Sequence, residues 1–333
     1  MKTATFIATL FFFALMACKT EVSTTDVELK GETMGTSYLV KYIGEENKEV
    51  KQAIDSLLLA INQSVSTYIP TSTISQVNQA EAGKIAVDDH FIRNFEVAKT
   101  VYAVTDGSFN PAVMPLVNYW GFGFEKLDES ETIDSAEVKR LQLISNFNSF
   151  QLSENLIIKT NGGAQLDFSA IAKGYGVDQL ALLLRNRGIE NFLIEIGGET
   201  YAQGLKSDGS AWRVGIRKPT ANEQTSVLQI VPLQGKALAT SGNYENYRNL
   251  SSTQTVSHTI NPNTGFPQSV TEGILSSSVI ADDCMTADAY ATAFKVMGLA
   301  RSKQILTTLP ELTVFFVYEN SDGEIESFST LEK

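Results

Sequence analysis

The chain predicts an α+β fold in a single domain. Amphipathic helical stretches are interleaved with apolar strands, without strict βαβ alternation. Several strand candidates follow one another directly. Beyond residue 31 there is no internal repeat, low-complexity tract or linker. At 333 residues, 43% hydrophobic and 19% charged, the chain suffices for a sizeable core and is too apolar for disorder. A net charge of −12, with no basic stripe, argues against nucleic acid as a partner. It also means that an anionic substrate needs a local cation or a metal to offset the field.

The first residues read as a targeting leader. Lys2 precedes the uncharged run Ala4–Ala17, 14 residues long, which is short for a membrane span and right for a signal sequence. The run ends in Leu15-Met16-Ala17-Cys18, which resembles a bacterial lipoprotein cleavage box. Residues 1–17 are therefore expected to be removed, Cys18 lipidated, and residues 18–30 to form a polar tether. The domain proper is expected over 31–333, anchored in the bacterial cell envelope and facing the periplasm. Cleavage leaves 25 basic and 38 acidic side chains, a charge of −13. Cys284 then has no intramolecular disulfide partner and reads as a small buried residue.

Gly31–Ser37 reads as a loop and Tyr38–Tyr42 as a strand. Glu49–Val65 is an amphipathic helix through Val50, Ile54, Leu57, Leu58, Ile61 and Val65. Ser66–Asn78, polar and containing Pro70, reads as a loop. His90–Val104 is a second amphipathic helix, followed by the turn Thr105–Pro111 and the aromatic stretch Val117–Phe124. Ser135–Leu143 reads as a short helix and Ser149–Lys159 as a hairpin. Val177, Leu180, Ala181 and Leu184 carry a helical period that stops at Gly188. Strands are expected at Asn191–Ile196, Trp212–Ile216, Ser226–Leu233, Ala237–Thr240, Ile274–Ala281 and Leu312–Tyr318. Helices are expected at Met285–Met297 and Arg301–Leu309, and Asn261–Pro267 is a turn cluster.

The richest stretch for chemistry is Leu166–Asp178. It places Asp167, Ser169, Ala170, Lys173 and two glycines in one segment. It is either a capped helix start or a wall that admits a ligand close to the backbone. Asp288 and Thr292 stand at i and i+4 in a helix, so a carboxylate and a hydroxyl share a face. Few oxygen ligands suit Mg²⁺ rather than zinc, and two His and two Cys lack zinc spacing. His258, ahead of the Asn263-Thr264-Gly265 turn, fits a general base or a phosphate contact. Tyr68 and the Ser108-Phe109-Asn110 turn offer aromatic faces and an amide to a conjugated ring. The dinucleotide fingerprint and the P-loop are absent.

Nine blocks in order carry a resemblance. They are T-M-G-T-S-Y (33–38), S-T-Y-I-P-T-S-T-I-S-Q-V-N (66–78), D-G-S-F-N-P-A-V (106–113), L-V-N-Y-W-G-F-G (116–123) and D-F-S-A-I-A-K-G-Y-G-V-D (167–178). I-E-I-G-G-E (194–199), A-T-S-G-N-Y (239–244), H-T-I-N-P-N-T-G-F-P (258–267) and M-T-A-D-A-Y-A-T-A (285–293) complete the set. Together they resemble the ApbE family of flavin transferases. The resemblance implies a mixed or antiparallel sheet with packed helices and an active-site cleft. It implies Mg²⁺-dependent transfer of the FMN half of FAD to a threonine hydroxyl of an acceptor protein, with release of AMP. The alternatives are an FAD pyrophosphatase and a non-catalytic flavin-binding lipoprotein.

By motif match, Met34, Tyr68, Ser108, Phe109, Asn110, Asp167 and Lys173 would line the FAD site, with Ile260 near a ring. The Ala170 carbonyl, Asp288 and Thr292 would hold the metal, and His258 would sit by the pyrophosphate. His258 and Asp288 are the expected catalytic residues. Asn110 and Asn261 stand where the family often has Asp. Cys18→Ser is expected to move the protein from the membrane to the soluble fraction and to abolish incorporation of labelled palmitate.

Overall fold

An eight-stranded antiparallel sheet is the frame on which the other elements hang. The computed structural model describes residues 25–123, 133–219, 227–242, 247–249, 255–271 and 273–331. The expected leader and Cys18 lie outside the described residues, as do Phe124, Ser226, Asn243 and Tyr244. The chain runs through β1 (Thr25–Thr33), β2 (Thr36–Gly44), α1 (Lys48–Val65), α2 (Thr73–Gln79), β3 (Gly83–Ala86), α3 (Asp89–Val104), α4 (Met114–Tyr119) and α5 (Ser135–Ile144). It continues through β4 (Phe150–Ser153), β5 (Leu156–Lys159), α6 (Ala172–Asn186), β6 (Phe192–Ile196), β7 (Glu199–Gln203), β8 (Trp212–Arg217), β9 (Val227–Leu233) and β10 (Lys236–Gly242). Then come β11 (Tyr247–Asn249), β12 (Thr255–Ile260), β13 (Pro267–Ser269), β14 (Ile274–Ala281), α7 (Cys284–Met297), α8 (Leu299–Leu306), β15 (Thr313–Glu319) and β16 (Ile325–Ser329).

The main sheet has the order β1-β2-β6-β7-β10-β14-β15-β16, each neighbouring pair antiparallel. Strand alternation sorts its two faces. Ile194, Ile196, Tyr201, Ala237, Ala239 and Val279 point into the main core with α1, α6 and α7. Leu193, Ala202 and Leu238 point the other way, where the β8–β9 hairpin covers them with Trp212, Ile216, Val231 and Leu233. On α1, the buried residues Val50, Ile54, Leu58, Ile61 and Val65 form one apolar stripe.

The expected tether is corrected by β1: residues 25–30 are sheet, because Val27 and Leu29 bury against the core and pair with Tyr42 and Val40. The expected loop 31–37 is the tip of the β1–β2 hairpin. Met34 and Gly35 both have positive φ, 51° and 72°, as a type I′ turn requires. The expected loop 66–78 folds from Thr73 into α2, capped by the Ser72 side chain. The last helix begins at Leu299 and ends at Leu306, where the sequence predicts Arg301–Leu309. Among the described residues no helix is long and apolar enough to cross a membrane.

Helices α6 and α7 cross at Gly174. A Cβ there would lie 2.4 Å from the Cys284 carbonyl oxygen and 2.8 Å from Met285 Cα. The approach lets each helix cap the other. Asp288 on α7 accepts from the Gly174 N–H in the first turn of α6, at 3.1 Å, where Ile171 provides no side-chain cap. Asp178 on α6 accepts from Cys284 N–H and Met285 N–H at the start of α7, at 2.8 and 2.9 Å. Gly174→Ala gains up to about 1 kcal/mol of helix propensity. Overpacking against rigid backbone costs about 1–3 kcal/mol, so net destabilisation is expected, read as a lower urea midpoint.

Candidate functional site

A cleft of about 460 Å³ opens where the α6 start, the α7 face and the β12 strand meet. All twelve sequence-predicted residues within the described chain line it: Met34, Tyr68, Ser108, Phe109, Asn110, Asp167, Ala170, Lys173, His258, Ile260, Asp288 and Thr292. They come from six separate stretches of chain, so the fold performs the gathering.

The wall formed by residues 166–173 is held by backbone clamps. The Asn78 amide pairs both ways with Leu166, donating to its carbonyl at 2.8 Å and accepting its N–H at 2.7 Å. Asp167 N–H donates to the Pro111 carbonyl at 2.7 Å, which joins this wall to the 108–111 turn. The Asp167 carboxylate accepts from Ser169 N–H at 2.8 Å, and burial raises it above the usual carboxylate range. Asn110 is committed to the backbone, donating to Ser145 O and accepting from Ala112 N–H. Its amide therefore shapes the turn, and the ring of Phe109 is packed into the main core. Both line the cleft.

Met34 holds its left-handed turn with its methyl packed beside Gly176, where a Cβ would come within 3.1 Å of it. Tyr68 stands at the mouth, 68% exposed. His258 meets the Phe122 ring edge-on, with centroids 6.5 Å apart. Ile260 is buried in a small cluster with Leu116, Trp120, Val138 and Leu141, which ties β12 to α4 and α5.

The electrostatic centre is Lys173 between two buried carboxylates. Its ammonium donates to Glu199 Oε1 at 2.8 Å. Burial works against the charge, but Asp288 and Glu199 hold the ammonium protonated. Burial pushes Glu199 up to about 8 against the pull of Lys173, and it raises Asp288 against Lys173 and the Gly174 N–H. Two carboxyl groups share one ammonium, and burial shifts both toward their protonated forms.

Three oxygens remain open. Glu199 Oε2 is buried with no hydrogen-bond partner. Asp288 uses Oδ2 on Gly174, and Oδ1 makes no hydrogen bond among the described residues. The Ala170 carbonyl would accept from Gly174 in a regular helix, but Asp288 takes that N–H. The carbonyl accepts no other backbone bond among the described residues. With the Thr292 hydroxyl, these are hard oxygen donors gathered at one wall of the cleft, a set that fits Mg²⁺. Among the described residues no three His, Cys, Asp or Glu side chains are grouped to hold a metal. Sequence reasoning missed Glu199. Its position directly after Gly197-Gly198 was visible, but only the sheet register turns it inward beside Lys173.

The model of the ApbE family matches residues 34–316. This chain belongs to the ApbE family. The FAD:protein FMN transferase of Vibrio cholerae is 36% identical over 302 residues, 89% of each chain. That of Escherichia coli K12 is 31% identical over 92% of this chain and 90% of its own. The structure of the flavin transferase ApbE from Vibrio cholerae superposes with a TM-score of 0.83 at 34% identity, covering 92% of this chain and 97% of that one. The apo flavinyl transferase ApbE of Pseudomonas stutzeri gives 0.82 at 27% identity, covering 92% and 95%. This ApbE-family chain is a transferase on one α+β domain of antiparallel sheet, as its sequence predicts.

Lys173→Met leaves the Glu199 carboxyl buried without its partner and drives it further toward the protonated form, at an expected cost of about 2 kcal/mol. Adding Glu199→Leu is expected to recover most of it. Urea titration of the single and double variants checks this, and purely additive losses count against the pair.

Proposed function

We propose that this chain transfers the FMN moiety of FAD to a threonine hydroxyl of an acceptor protein and releases AMP, with Mg²⁺ as its metal. The observation that carries the proposal is the Lys173–Glu199–Asp288 cluster, with its open oxygens, in the same cleft as His258. Such a cluster suits a diphosphate brought in with a divalent cation. In the transfer, the threonine oxygen bonds to the phosphorus on the flavin side. The bond from that phosphorus to the bridging oxygen breaks, and AMP leaves with that oxygen. The hydroxyl proton is assigned to His258, which lines the cleft.

Lys173 offsets charge on the phosphate oxygens, held in place by Glu199. Asp288, Thr292 and the Ala170 carbonyl would hold Mg²⁺, which when bound neutralises charge developing on the diphosphate. Met34 and Tyr68 supply apolar surface for a flat ring at the cleft wall and mouth. The proposal extends to a lipid anchor on Cys18 that keeps the domain at the periplasmic face of a membrane. Its support is the order Leu15-Met16-Ala17-Cys18.

The test combines detergent-solubilised full-length protein, FAD, Mg²⁺ and an acceptor peptide carrying Asp-Gly-x-x-Ser/Thr-Thr. A covalent FMN adduct with stoichiometric AMP is expected by mass spectrometry. FMN and AMP free in solution, with no adduct, would make the protein a pyrophosphatase. FAD binding without turnover would make it a carrier. Asp288→Ala is expected to lower Mg²⁺-dependent adduct formation about 100-fold or more, the scale of losing one preorganised charge contact. Full activity in that variant removes Asp288 from the metal site.

A further inference from the structure

Lys295 is a charge that the cluster above does not use. It is 1% exposed on α7. With Asp288 and Thr292 it follows the spacing i, i+4, i+7, so the three share one face of the helix. Its ammonium donates to Thr259 Oγ1 at 2.5 Å and makes no ion pair among the described residues. A buried ammonium with one hydroxyl acceptor and no counter-charge is costly. The last turn of α7 offsets only part of that cost through its carbonyls. Burial accordingly pushes Lys295 down to about 7, with no charged group acting on it.

The position of Thr259 gives that charge a direction. Thr259 lies between His258 and Ile260 on β12, and all three line the cleft, as does Val296 beside Lys295. Thr259 Oγ accepts from Lys295, so its own O–H is left to donate. That O–H has no acceptor among the described residues. A hydroxyl that accepts from an ammonium is a polarised, stronger donor.

We propose that Lys295 and Thr259 form a buried anion relay beneath the cleft floor, whose missing counter-charge arrives with the diphosphate of the nucleotide substrate. The inference rests on the nucleotide reading above and adds a positioning residue to it. Lys295 acts through Thr259, whose O–H donates to a phosphate oxygen. The bound anion in turn keeps the proton on Lys295. The site would therefore prefer a dinucleotide to the bare ring, because only the dinucleotide brings the charge that the floor lacks.

Lys295→Met keeps the length of the stem and removes the charge. At fixed Mg²⁺, this variant of the full-length protein is expected to bind ADP and inorganic pyrophosphate about tenfold more weakly than wild type, the scale of one charge-assisted hydrogen bond. Its affinity for uncharged riboflavin is expected to be unchanged and its Tm no lower than wild type. Lys295→Arg is expected to retain anion affinity. Should Lys295→Met fail to fold, Thr259→Val removes the relay hydroxyl alone and is expected to show the same selective loss.

Equal affinity of variant and wild type for ADP and pyrophosphate overturns the relay. So does a parallel loss of riboflavin and ADP binding with a lowered Tm, which would make Lys295 a packing residue. Wild-type protein that binds pyrophosphate through Lys295 but ignores FAD would keep the relay and sink the flavin reading. Wild-type protein unmoved by pyrophosphate overturns the relay whatever FAD does.

Discussion

The close crossing of α6 and α7 at Gly174 is the constraint on which the rest of the site depends. Only hydrogen fits between the Gly174 Cα and the first turn of α7. At that distance Asp288 reaches the first turn of α6 and Asp178 reaches the first turn of α7. Each carboxylate satisfies N–H groups that a helix start leaves open, and each is favoured there by the helix dipole. The exchange has a side effect that matters more than the caps. By taking the Gly174 N–H, Asp288 leaves the Ala170 carbonyl without that donor and keeps its own second oxygen free. A stabilising contact between helices thus leaves a pair of open oxygens.

Charge in the cleft follows from the same geometry. Lys173 is one residue before Gly174, so the crossing that seats Asp288 also sets the ammonium between Asp288 and Glu199. The Gly197-Gly198 turn makes this possible, since Gly197 has φ 60° and a Cβ there would crowd Thr36 and the Lys173 stem. The antiparallel sheet carries no chemistry of its own in this arrangement. It fixes the ends of the long excursions between its strands: β11–β13 between β10 and β14, and α7–α8 between β14 and β15. His258 rides on the first excursion, Asp288 and Thr292 on the second, and the Lys295–Thr259 hydrogen bond joins the two.

The helices with clean apolar periods were legible in the sequence. Residues 49–65, 90–104 and 285–297 are helical as expected, because a stripe at i, i+4 and i+7 has few other ways to be buried. The segments that were misread are those whose structure depends on a distant partner. Residues 25–30 look like a polar tether, yet alternate Val27 and Leu29 bury once β2 is alongside. Thr73–Gln79 looks like loop because its helix is one of seven residues, held by the Ser72 cap and by Lys159, whose ammonium donates to the carbonyls of Val77, Asn78 and Ala80.

Residue types, their local spacing and the order of the family motifs singled out groups that the fold gathers in one cleft. A carboxylate and hydroxyl one helical turn apart, a lysine among small residues and a histidine before a turn are local patterns, and all three line the cleft. The same local chemistry determined an α+β class, since periodicity and turn signals are properties of neighbouring residues. Tertiary structure alone decided which of those groups are free to act. It committed Asn110 to the backbone and the Phe109 ring to the core, brought Glu199 in beside Lys173, and left Lys295 buried without a counter-charge. Desolvation and hydrogen-bond satisfaction depend on contacts between residues far apart in the chain, and local pattern does not encode them.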